Sequence, residues 1–148
     1  RRISILVICR INREKLMRHW PHRSKVIELD GQHAGAWQGL GNVHYNRHDW
    51  PWAITAYKKA LDLAPEDANL FFNLAQVYLA QEDIGAAIAA LERAVALKPR
   101  DAEIYFMLGM IYEQNGLKEL ARMSMERALE VEPGHPRAQQ TRVYLGRK

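Results

Sequence analysis

The chain has 148 residues and a mass of 17.1 kDa, room for one domain of ordinary size. Its composition, 48% apolar and 26% charged, is that of a globular protein and excludes a disordered one. The most apolar stretch, Ile3 to Cys9, is far short of the ~20 residues that span a bilayer, and the lone Cys9 excludes an internal disulfide.

The net charge of +4 is not spread along the chain. Residues 1–33 carry eight Lys or Arg against Glu14, Glu28 and Asp30, giving +5, and the other 115 residues carry thirteen against fourteen, giving −1. Trp20 among basic residues and His19 and His22 is a slight argument for nucleic acid. The same segment holds the most apolar stretch, however, so nucleic acid is not the expected partner. Ile3, Leu6 and Val7, with Ile5 and Cys9 nearby, make too much apolar surface for a solvated end. Residues 1–20 are therefore expected to mediate association into a homo-oligomer, which makes a self-assembling scaffold the alternative functional reading. No Ala-x-Ala-like cleavage site follows Cys9, and the expected compartment is the cytoplasm.

From residue 34 onward an internal repeat governs the sequence. Ala60-Leu61-Asp62-Leu63-Ala64-Pro65, Ala94-Val95-Ala96-Leu97-Lys98-Pro99 and Ala128-Leu129-Glu130-Val131-Glu132-Pro133 follow one another at intervals of 34 residues. Units starting at Ala34, Ala68 and Ala102 align throughout. Position 4 is Trp37, Phe71, Tyr105; position 7 is Leu40, Leu74, Leu108; position 8 is Gly41, Ala75, Gly109. Position 20 is Ala53, Ala87, Ala121, position 24 is Tyr57, Leu91, Met125, and position 27 is Ala60, Ala94, Ala128. Positions 4, 7, 8 and 11 share one helical face, and 20, 24 and 27 share another. Each unit is thus expected to be two amphipathic helices, A and B, over 34–64, 68–98 and 102–132. Small residues at 8, 20 and 27 let the axes approach, and large ones fill the remaining space. Proline at position 32 stops helix B, and the residues after it, such as Glu66-Asp67 and Arg100-Asp101, can cap the next helix.

This period and these residue classes resemble the tetratricopeptide repeat, with Trp37, Leu40, Gly41, Ala53, Tyr57, Ala60 and Pro65 carrying the signature best and His44 standing where Tyr is expected. The resemblance implies an all-α, right-handed superhelix of antiparallel helix pairs, an α-solenoid, with complete repeats at 34–67, 68–101 and 102–135. Residues 1–33 read as a degenerate N-terminal helical repeat: Val26 to Asp30 align with the end of a helix B, and Gly31 replaces the proline. Residues 136–148 read as a C-terminal capping helix starting at Pro136, with Arg137, Arg142, Arg147 and Lys148 outward.

The resemblance also implies a concave groove lined by helix A, and with it a non-catalytic module that binds a protein or peptide. The groove positions are Gln38, Asn42, Tyr45 and Asn46, then Asn69, Phe72, Asn73 and Gln76, then Phe106, Met107, Met110 and Glu113. The amides could hold peptide backbone while Phe and Met accept varied side chains. The competing reading has the Phe and Met side chains packed on a terminal helix or a second protomer. Chaperone adaptors similar in fold grip a C-terminal carboxylate with Lys and Arg, but Gln38, Glu103 and Met107 stand at those positions, so that activity is not expected. With Glu103 at position 2, the groove offers Glu103 and Glu113 but no Lys or Arg, which predicts weak salt dependence. No catalytic residue, cofactor or metal is expected. His44 and His48 stand i, i+4 but lack a third ligand, and a helix-end role on the last carbonyls is the simpler account. Trp50 and Trp52 are expected to anchor helix packing.

Overall fold

The computed structural model describes residues 33–146, apart from the side chain at position 138. The expected N-terminal repeat over 1–33, apart from His33, the association segment 1–20, Arg147 and Lys148 lie outside the described residues. The chain divides into two units, Arg1–Glu66 and Asp67–Lys148.

The described part of the first unit is one antiparallel pair, α1 (Ala34–Asn46) and α2 (Trp50–Leu63). The second holds α3 (Ala68–Ala80), α4 (Ile84–Leu97), α5 (Ala102–Gln114), α6 (Lys118–Val131) and α7 (Ala138–Leu145). Every regular element among the described residues is helical, as the 34-residue register requires.

The helix ends explain themselves residue by residue. Asp67 and Asp101 accept the backbone N–H of Asn69 and Glu103 at 2.9 and 3.1 Å, satisfying donors that the first turn leaves open. Asp83 does the same for Ala86 at the start of α4. Each B helix closes on the residue before proline: Ala64, Lys98 and Glu132 donate to Ala60, Ala94 and Ala128. The following ring then forbids another helical turn.

Between A and B helices the same turn is built three times. Asp49 N–H donates to His44 O, Asp83 to Tyr78 and Leu117 to Tyr112, each spanning five residues as in a Schellman motif. The residue before each donor is left-handed: His48 and Glu82 at φ 61°, Gly116 at φ 75°. Only Gly116 takes that conformation without a steric cost.

Inside each pair the small residue at position 8 meets the large one at position 24. A methyl group on Gly41 would lie 2.5 Å from the Tyr57 ring, and one on Gly109 would lie 3.0 Å from Met125. Ala75 and Leu91 are the buried residues at these positions in the middle repeat. Ala53, Ala87 and Ala121 are completely enclosed, as expected of the small residues at position 20.

The C-terminal helix departs from expectation. It begins at Ala138, two residues after Pro136, which stands exposed in a turn. That turn has its own bonds: the Arg137 N–H donates to His135 Nδ1 at 3.2 Å, and the Arg142 guanidinium donates to Pro133 O. Thr141 is buried and donates its hydroxyl to Arg137 O. Arg142 is exposed as expected, whereas Arg137 is folded back against α5.

Candidate functional site

In the first unit, Asn42 is exposed, but its Oδ1 accepts the Tyr57 hydroxyl proton at 2.6 Å. That hydrogen bond joins α1 to α2 and leaves the amide N–H groups of Asn42 outside it. Burial, and secondarily the repulsion of Tyr45, pushes the Tyr57 hydroxyl up to about 12. Tyr45 is half-buried with its ring 5.5 Å from Trp50; Gln38 is half-buried and Asn46 exposed.

The turn beside them gathers aromatic rings. His48 meets the Trp50 ring edge-on at 5.0 Å, and His44 lies 6.2 Å from Trp52 and 3.6 Å from an Asp49 carboxylate oxygen. The His48 ring thus packs on Trp50, while its backbone N–H donates to Tyr45 O at the end of α1. Trp50 and Trp52 have the expected packing role. Among the described residues no group of three or more His, Cys, Asp or Glu is placed to hold a metal ion. No helix there is long and apolar enough to cross a membrane.

The second unit carries the more extensive set. Asn69, Phe72, Asn73 and Gln76 recur at i, i+3, i+4 and i+7, which puts them on one face of α3. Glu103, Phe106, Met107 and Met110 repeat that spacing on α5. Phe72, Asn73, Gln76 and Met107 are half-buried, and Met110, Glu113 and Asn69 are exposed.

Phe106 does not join them at the surface. It is 3% exposed, within a cluster formed with Ala102, Met125 and Ala128 and flanked by Tyr105, Val131, Tyr144 and Leu145. The expectation of an exposed ring for a partner is therefore corrected, and the competing reading, packing on the terminal helix, holds at this residue. The reason is the chain that follows: the Arg137 guanidinium lies over the ring at 4.8 Å, with His135 beside it.

Two cations stand beside the expected groove positions. Lys98 Nζ donates to Asn69 Oδ1 at 2.9 Å, and Arg137 Nη1 lies 3.4 Å from Glu103 Oε1. Both cations come from outside the A helices, where the expectation of a surface without Lys or Arg did not look. Lys98, His135 and Arg137 lie outside the A helices, to which the expected groove positions are confined. The signal was present: Lys98 immediately precedes its repeat's proline, and Arg137 falls at position 2 of a fourth unit, in line with Asn69 and Glu103.

Two family models, both described as tetratricopeptide repeat, match the chain over residues 32–100 and 72–138. No curated protein sequence matches it. Among solved structures it is similar to crystalline MamA, at 28% identity and a TM-score of 0.73, covering 80% of this chain and 70% of that one. It is also similar to the first TPR of Spaghetti (RPAP3) bound to the HSP90 peptide SRMEEVD, at 28% identity and a TM-score of 0.68, covering 78% and 92%. The Arabidopsis OM64 TPR domain shares the fold at 21% identity and a TM-score of 0.68, over 76% and 93%.

Proposed function

The chain belongs to the tetratricopeptide repeat family, and from that premise we propose that it is a non-catalytic module holding an extended segment of a protein partner on its second unit. Domains of this family generally mediate protein–protein interaction. The observation that carries the reading is the face of α3: Phe72, Asn73 and Gln76 are only half-buried at adjoining helical positions. An amide offers both a donor and an acceptor, which is what the backbone of any extended segment requires. Phe72, with Met107 and Met110 on α5, supplies apolar surface that adapts to side chains of different shape. The RPAP3 domain, similar in structure, is bound to a peptide.

A segment ending in a carboxylate is not the ligand this surface suits. Glu103 and Met107 stand where such a ligand would need cations, and Glu103 is already paired with His135 and Arg137. An internal segment fits better.

Affinity capture with the full chain and with the Asn73→Ala/Met110→Ala double variant tests the proposal. Partners retained by the first and lost by the second, at equal melting temperature, support it. A partner held equally by both contradicts it.

A further inference from the structure

Glu103 and Phe106 lie one turn apart on α5, at positions that the family resemblance implies for the binding face. Both are covered by the chain's own turn between α6 and α7. The Arg137 guanidinium lies 4.8 Å from the centre of the Phe106 ring, with Nη1 3.4 Å from Glu103 Oε1. His135 Nε2 takes the other carboxylate oxygen at 3.0 Å, and its ring lies 6.4 Å from Phe106. The Arg137 backbone N–H donates to His135 Nδ1 at 3.2 Å, tying the two covering residues into one hook. A carboxylate beside an aromatic face suits a guanidinium in particular, whose planar cation can stack on the ring while its N–H groups reach the carboxylate.

We propose that Glu103 and Phe106 form an arginine subsite of the binding face, filled by Arg137 of the same chain, and that an arginine of the partner segment takes Arg137's place. This rests on the function proposed above and adds to it the chemistry of the partner: a segment that presents an arginine. The internal occupant is placed to exchange. The side chains of Arg137 and Glu103 are 42% and 37% exposed, so water reaches the pair and no dried ion pair has to be broken. Opening the hook takes the Arg137 guanidinium off the Phe106 ring, a place that a second guanidinium can fill and a neutral side chain fills less well. Because Arg137 is tethered, it competes at high effective concentration, and removing its charge opens the subsite to an added ligand.

The test titrates the full chain and its Arg137→Gln variant with acetyl-Gly-His-Pro-Arg-Ala-amide, and with the same peptide carrying Gln for Arg. Backbone amide shifts at Glu103 and Phe106 report binding, and melting curves establish that both chains are folded. The arginine peptide is expected to bind the variant at least about fivefold more tightly than the wild type, the tethered competitor having been removed. The glutamine peptide is expected to leave those amides unmoved in both chains. Adding Glu103→Gln to the variant is expected to abolish the response. Equal binding to the two chains, equal binding of the two peptides, or no response from the variant overturns the subsite. Asn73 takes no part in this titration, so its outcome is read separately from that of the proposed binding face on α3.

Discussion

Phe72 and Phe106 are the same residue at the same position of successive repeats, yet one is half-buried and the other is 3% exposed. Their own helices do not make the difference. Both stand fifth in a helix A of 13 residues capped by aspartate. What differs is the contact made from outside each A helix. Lys98 from the end of α4 reaches Asn69, one turn before Phe72, whereas the hook before α7 closes over Phe106 with Arg137 and His135. A repeat therefore prescribes where a side chain stands, and the neighbouring element decides whether a partner can reach it.

Substituting each phenylalanine in turn gives the largest effect and the sharpest contrast. Phe106→Ala is expected to cost about 3–5 kcal/mol of stability, the usual loss for emptying a buried aromatic site. Phe72→Ala is expected to cost only about 1–2 kcal/mol, since a half-buried ring recovers part of the transfer energy on folding. Equal losses in denaturant melts would erase the distinction. Next comes the shared register on which the contrast depends. Ala87 is fully enclosed between helices, so Ala87→Leu should overpack its pair by about 1–3 kcal/mol. A variant as stable as the wild type would mean that the register is misplaced.

Most of the fold was legible because it is written three times. The enclosed alanines and the Gly–Tyr and Gly–Met contacts within the three repeats follow from residue size and helical period. The site was legible only in part. The family resemblance implied groove positions for Phe72, Asn73 and Phe106, but the cover on Phe106 comes from residue 137, beyond the last repeat. Asn42 illustrates the same limit, since its acceptor is used by Tyr57, 15 residues away. Such engagements depend on how separate helices meet, which the spacing within one helix does not encode.

A smaller effect compares the three turns. Gly116 is left-handed with open space around it, so Gly116→Ala should cost about 1 kcal/mol through the backbone alone. Glu82→Gly should gain about 0.5 kcal/mol, as relief of the left-handed strain exceeds the extra entropy of an unfolded glycine. Opposite signs in thermal melts are the expected result. The smallest effect is in alkali. The Tyr57 hydroxyl is raised from 10.0 to about 12 in the folded chain, so folding favours its neutral form. That contribution is complete below pH 10 and is lost as pH rises toward about 12. The melting temperature should fall across that window, and less steeply in Tyr57→Phe. A residual fall is expected from Tyr112, which burial and Glu92 also raise.

The most direct test of the central claim, that the α3 face binds a segment of a partner, is calorimetric titration of a recovered partner with wild type and Asn73→Ala. Removing one amide partner costs about 1–3 kcal/mol, so affinity should fall roughly tenfold or more while the melting temperature stays unchanged. An unchanged affinity would contradict the claim.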